Sequence, residues 1–273
     1  MAEKEIQKEI FKQGSKTYFN SSIFFPRAVR EDVIVLYAFV RTADNFVDEI
    51  PQNPDGFYSF REQYRKALEG EQSGNIVVDS FIDLFKKKNF SAQWVESFLD
   101  SMEMDLSVKD YPAIEDTLRY IYGSAEVIGL FMAKIMDLPE QSYHAAQMLG
   151  RAMQYINFIR DIDEDNRLGR TYLPLSDSGF SSLEKQEVLP RGEEFSGFIR
   201  HNIELYRKWQ NEAEEGFRYI PRRYLVPIKT ASDMYNWTAR EIYKNPFVVF
   251  ERKVKPSKAR ILSTILRNSI NQT

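Results

Sequence analysis

Four aspartates in two matched pairs are the residues of this chain best placed to do chemistry. Asp44 and Asp48 stand four apart, and so do Asp161 and Asp165. Four residues is slightly more than one turn of α-helix, so each pair projects from one face. Each face extends further: Tyr37, Arg41, Asp44 and Asp48 fall at offsets 0, 4, 7 and 11, and Gln154, Asn157, Asp161 and Asp165 at 0, 3, 7 and 11. Either stripe alone reads most simply as a capping or salt-bridged face turned to water. The two together argue otherwise, because each lies on an otherwise apolar segment. Val33, Ile34, Leu36, Phe39, Val40, Phe46 and Val47 surround the first stripe, and Met153, Ile156, Phe158 and Ile159 flank the second. Buried carboxylates need compensating positive charge, or their pKa values rise. Hard divalent cations supply it: carboxylate and amide oxygens suit Mg²⁺, with Mn²⁺ the alternative, and Mg²⁺ is held by one or two carboxylates together with substrate phosphates. Arg41 and Arg160 beside the aspartates add guanidinium forks that grip phosphate oxygens. Asp161, Asp163, Glu164 and Asp165 also crowd a helix C-terminus, where the helix dipole disfavours negative charge, so helix stabilisation does not account for them.

The elements that must position these stripes are helices. Helical periodicity dominates, and no run of alternating strands with hairpin turns occurs, so the fold expected is all-α. Turn signals at residues 51–56, 70–74, 169–174 and 176–192 divide the chain. Between them the periodicity predicts helices near 28–49, 54–69, 92–105, 113–137, 141–168, 194–217 and 221–243. The 176–192 stretch reads as a surface connection, with a lid over the site as the alternative. No linker separates the parts, so one domain over 1–273 is expected.

Composition removes several classes of function. With no cysteine there are no disulfides, thiolate metal sites or cysteine nucleophiles, which fits a reducing, cytoplasmic setting. His144 and His201 are the only histidines, and neither sits in the Glu-x-x-His arrangement of a di-iron bundle. A net charge of -3 gives no reason to expect nucleic acid. No uncharged apolar run reaches the roughly 18 to 20 residues needed to span a bilayer, and the charged N-terminus lacks a signal-peptide core. From residue 244 onward Lys244, Arg252, Lys253, Lys255, Lys258, Arg260 and Arg267 face only Glu251, with Ile261, Leu262, Ile265 and Leu266 interspersed. This segment has two readings, a solvated C-terminal helix or a membrane-surface or phosphate-attracting element.

At these residues the sequence resembles the squalene/phytoene synthase family of head-to-head prenyl transferases. Ser15-Lys-Thr-Tyr18 followed by Phe25-Pro26 looks like its N-terminal substrate motif, and residues 36–49 around Asp44 and Asp48 look like its first aspartate-rich motif. Residues 149–165, continuing through Gly169-Arg-Thr-Tyr-Leu-Pro174, are similar to the second. The resemblance implies an isoprenoid-synthase helical bundle with the two motifs facing each other across a central cavity. By position it implies Asp44, Asp48, Asn157, Asp161 and Asp165 as metal ligands or their close supports. Lys16, Arg41, Arg160, Tyr235 and Arg252 would hold diphosphate, and Ser15, Thr17, Tyr37 and Gln154 would line the same sites.

Tyr120-Ile-Tyr-Gly-Ser-Ala-Glu-Val-Ile-Gly129 resembles the prokaryotic phytoene synthases within that family, although Glu126 stands where many relatives have a small residue. The reaction implied joins two geranylgeranyl diphosphates through a cyclopropylcarbinyl diphosphate to phytoene, with no NADPH required. Squalene or dehydrosqualene formation from farnesyl diphosphate is the alternative, and a non-catalytic helical scaffold the remote one. Substrates this greasy imply peripheral contact with a membrane.

Overall fold

The computed structural model describes Gln7, Glu9 and residues 25–270. The N-terminal motif residues Ser15, Lys16 and Thr17 lie outside the described residues. Among those described there is no β-strand, only an isolated bridge between Asp110 and Thr171. The helices, numbered along the described chain, are α1 Arg27–Asp48, α2 Pro54–Leu68, α3 Ile76–Lys88, α4 Ala92–Ser107, α5 Ile114–Ile121, α6 Val127–Ile135 and α7 Tyr143–Arg160. They continue as α8 Ile162–Arg167, α9 Lys185–Val188, α10 Gly192–Glu215, α11 Arg222–Lys244 and α12 Lys258–Ile270.

Helix α1 forms because Val29, Val33, Leu36, Phe39, Ala43 and Val47 recur every three or four residues and are all buried. Its buried stripe packs on α3 and on the aromatic cluster of Phe60, Tyr64, Phe81 and Phe98 around Phe39. Asn53 caps α2 by accepting from Gly56 N at 2.9 Å, and Asn75 caps α3 by accepting from Val77 N at 3.0 Å. Helix α3 is not among the helices that periodicity predicts. Val77, Val78, Phe81, Ile82 and Leu84 are all buried there, so its apolar surface is broad rather than a narrow stripe.

Two predicted helices are interrupted. The 113–137 segment becomes α5, a π-helical turn at Tyr122–Glu126, and α6. The extra residue in that turn rotates α6 relative to α5, and Glu126 is buried at 2% exposure. There it accepts from Arg151 Nε of α7 at 2.7 Å, and the guanidinium lies 5.4 Å from the Trp209 ring. The departure from the family pattern at this position is therefore a compensated charge in a helix interface. The 141–168 segment bends at Asp161, whose φ of -100° and ψ of 14° leave the helical region. Hydrogen bonding nevertheless continues through the bend, from Asp161 N to Asn157 O at 2.8 Å and from Asp165 N to Asp161 O at 2.9 Å.

Residues 176–192 form a docked connection rather than a free loop: Phe180, Leu183 and Val188 are buried, and Arg191 lies over the Phe180 ring at 4.2 Å.

Glycine permits the closest helix approaches. A Cβ on Gly123 would stand 2.0 Å from Ser97 O of α4, and one on Gly150 would stand 2.3 Å from Ala125 O in the π turn. Both obstacles are backbone atoms, so no rotamer change relieves them. Gly150→Ala is expected to destabilise the fold by about 1–3 kcal/mol, the usual cost of overpacking a tight core. A urea unfolding midpoint equal to wild type would show that the π turn and α7 can separate freely.

Candidate active site

The two aspartate stripes meet at one end of the bundle, and Arg170 is the residue that joins them. Its Nη1 donates to Asp48 Oδ1 at 2.9 Å, and its Nη2 donates to Val47 O at 2.9 Å and to Asp105 O at 3.2 Å. Its backbone N donates to Asp165 O at 2.9 Å. One side chain and its own amide thus touch both motifs, with the guanidinium 7% exposed. Gly169, at φ +66°, ends α8 in the left-handed conformation and turns the chain back so that Arg170 can do this. Residues 109–111 then hold the returning chain, through Thr171 N to Lys109 O at 2.7 Å and Tyr111 N to Thr171 O at 3.2 Å.

Beneath Arg170 lies a buried acid that neither aspartate motif includes. The Asp105 carboxylate accepts from Tyr120 Oη at 2.7 Å and from Tyr172 Oη at 2.8 Å. Tyr172 stacks on Phe158 with centroids 4.3 Å apart, and Tyr111 and Tyr120 complete the aromatic group. Tyr120, Arg170 and Tyr172 all fall in segments that carry the family resemblance, but their spacing assigns them no role. The only sequence signal for Asp105 is an acid among apolar neighbours near the end of a predicted helix.

The other expected residues surround this tie. Arg41 Nη1 pairs with Asp44 within α1, and its Nε is buried without a hydrogen-bond partner. Tyr37 is half-buried one turn earlier on the same helix. Arg160 Nε donates to Asp161 Oδ1 at 2.8 Å. Gln154 and Asn157 are half-buried on α7, and Asn157 Oδ1 is buried with no partner. Arg252 lines a cavity of about 220 Å³ with Arg160, Asp161, Glu164, Arg167 and Lys253. Lys253, not anticipated, places its Nζ 3.3 Å from Asp161 Oδ1 and also contacts Glu164. Tyr235 is half-buried on α11 against the apolar cluster that contains Tyr206.

Electrostatics mark the same spot. Asp44 is pushed up to about 7, chiefly by burial and then by Asp48, with Arg41 opposing the shift. Asp165 is pushed up to about 8, chiefly by burial and then by Asp161, with Arg170 opposing and Asp48 adding to it. That Asp48 raises both groups shows the two stripes sharing one field. Burial also lifts Asp105 to about 6 against its bonds to Tyr120 and the nearby Arg170 charge. The protein's own cations do not neutralise this cluster. Among the described residues no three acidic or histidine side chains converge tightly enough to hold a metal unaided. An under-neutralised acidic rim with an orphaned amide oxygen fits Mg²⁺, which keeps waters and completes its shell with substrate phosphate.

The comparisons with known proteins agree with this geometry. The family model for squalene/phytoene synthase matches residues 11–260. The 15-cis-phytoene synthase of Paracoccus sp. (strain N81106 / MBIC 01143) is 25% identical over 92% of this chain and 86% of its own length. That of Pantoea ananas is 28% identical over 81% and 76%. Among solved structures, a dehydrosqualene synthase in complex with ligand superposes with a TM-score of 0.86 at 20% identity, covering 99% of this chain and 96% of that one. The squalene synthase HpnC from Alicyclobacillus acidocaldarius gives 0.81 at 20% identity, over 90% and 95%. The fold is the isoprenoid-synthase helical bundle.

The raised carboxylates predict how stability depends on pH. Their folded-state pKa values exceed the unfolded value of about 4, so between about pH 4 and about 8 the folded protein holds protons that the unfolded chain has released. Stability of the metal-free protein should therefore fall as pH rises through that window. Mg²⁺ with inorganic pyrophosphate should restore it most at the alkaline end, because ligation requires the deprotonated forms. Thermal melts in chelator that rise with pH across the window would contradict this.

Proposed function

The chain belongs to the squalene/phytoene synthase family, and from that premise we propose that it joins two geranylgeranyl diphosphates head to head to make phytoene. Membership makes it a prenyl transferase acting on prenyl diphosphates. The observation that carries the finer reading is the Arg170 tie, which sets Asp48 and Asp165, from helices more than a hundred residues apart in sequence, around one under-neutralised site. Both apolar clusters contribute residues to this site, which supports reading 1–273 as one domain.

In this mechanism Asp44, Asp48, Asn157, Asp161 and Asp165 hold the metal ions. Bound there, Mg²⁺ supplies Lewis-acid stabilisation of the departing diphosphate's charge. Arg41, Arg160 and Arg252 bind and orient the diphosphate oxygens, with Lys16 and Tyr235 as further holders. Tyr37, Gln154, Ser15 and Thr17 line the substrate sites. The C–O bond of one substrate breaks and diphosphate leaves with the electron pair. The double bond of the second substrate attacks the allylic cation, and loss of a proton closes the cyclopropane. Loss of the second diphosphate, rearrangement and a further proton loss give the hydrocarbon. Aromatic faces near the carboxylates, among them Tyr120 and Tyr172, supply the electrostatics that such cations need. The balance requires no reductant.

The phytoene assignment is supported by the curated relatives, which are phytoene synthases, and by the Gly123–Gly129 segment. The superposed structures, a dehydrosqualene and a squalene synthase, favour a second reading in which farnesyl diphosphate is coupled to a C30 product. Purified protein supplied with C15 and C20 diphosphates and Mg²⁺, with and without NADPH, is expected to give phytoene from C20 regardless of NADPH. A C30 hydrocarbon as the dominant product would select the second reading. Asp44→Asn and Asp161→Asn should each lower turnover by at least about a hundredfold, and wild-type rates in either would overturn the mechanism.

A further inference from the structure

Helix α12 is amphipathic the wrong way round. It packs on α11 through Thr264 and Asn268, 6% and 2% exposed, while Leu262, Leu266 and Ile270 are 59%, 64% and 66% exposed. Polar contacts fix this rotation. Asn268 Nδ2 donates to Asp233 Oδ2 at 2.9 Å and to Thr230 Oγ1 at 3.2 Å, and Arg267 Nη2 donates to Asp233 Oδ2 at 3.1 Å. Turning the helix to bury its leucines would break all three bonds. Arg260 adds a fourth restraint, its guanidinium lying 4.7 Å from the Trp237 ring.

At the angular step of an α-helix, Leu262, Leu266 and Ile270 share an arc of roughly 80°. Lys258 borders one edge of that arc, and Arg260 and Arg267 border the other. Residues 252–270 carry six lysines and arginines and no acid, in a chain whose net charge is -3. Among the described residues nothing covers the apolar stripe.

We infer that this face of α12 is a docking surface for an anionic lipid bilayer. An apolar strip between basic edges matches the boundary between acyl chains and headgroups: the leucines enter the hydrocarbon and the cations meet lipid phosphate. A second copy of the chain fits poorly, because apposing two such faces would set cation against cation without a compensating acid. No helix of the described residues is long and apolar enough to cross a membrane, so the contact is peripheral. Only residues 254–257 separate α12 from Arg252 and Lys253, which line the cavity beside Asp161. Docking would therefore hold a wall of that cavity close to the membrane that stores greasy molecules. The inference does not depend on which hydrocarbon is made.

The test is co-sedimentation of the full chain with vesicles of phosphatidylcholine, alone or with about a quarter phosphatidylglycerol. Wild type should bind the anionic vesicles, and added salt should weaken binding. The triple variant L262E/L266E/I270E should lose roughly tenfold or more of its vesicle affinity. K255E/K258E should lose binding to the anionic vesicles selectively. All of these residues are exposed, so circular dichroism melts should match wild type. Failure of wild type to bind, or unchanged binding of both variants, would overturn the inference. So would sedimentation velocity showing a wild-type dimer that the triple variant dissociates, since the face would then belong to a second copy.

Discussion

A guanidinium held at 7% exposure is costly unless every one of its hydrogens finds an acceptor, and Arg170 meets that demand with groups from three separate parts of the chain. Val47 O and Asp48 end α1, Asp105 O lies near the end of α4, and the Arg170 backbone is itself bonded to Asp165 O at the end of α8. Because the charge cannot be left unpaired, these ends are constrained together. Gln52 reinforces the constraint by donating to Val47 O at 2.6 Å and to Asp105 O at 2.9 Å. The opposed aspartate stripes are a consequence of satisfying one buried cation.

The protein buries carboxylates in two distinct ways, and the contrast separates architecture from chemistry. Glu126 is buried against Arg151 at 2.7 Å, with the guanidinium laid over Trp209. That charge is compensated wholly within the fold. Asp44 and Asp165 have arginines near them, yet burial and neighbouring acids still dominate. Such uncompensated charge lowers the stability of the bare protein at neutral pH and favours whatever brings positive charge to the site. The site is thus poised for cations by what the fold withholds from it.

Close helix packing sets the distances over which this works. Gly123 and Gly150 let α4, the π turn and α7 approach to backbone contact. The π turn carries Glu126 to Arg151, while Tyr120, just before it, reaches Asp105. The same short segment therefore fixes α7 on one side and the buried acid on the other. This gives a packing reason for its run of small residues, alongside any role in shaping a prenyl cavity.

The all-α class, most helix positions and both aspartate stripes were legible in the sequence, because residues three, four, seven and eleven apart share a helix face wherever the helix lies. The family was legible because its motifs are local strings such as residues 36–49 and 149–165. Helix α3 escaped because a segment buried on most sides loses the polar face that periodicity detects, and the bend at Asp161 arises from the conformation of a single residue. Asp105 and Arg170 could not be placed from sequence, since their importance comes from contacts with residues up to 123 positions away. The orientation of α12 was likewise undecided. Its composition allowed either face to point outward, and only the bonds of Asn268 and Arg267 to Asp233 on α11 turn the leucines to the surface. Local spacing determines which residues travel together, and tertiary hydrogen bonding decides what they meet.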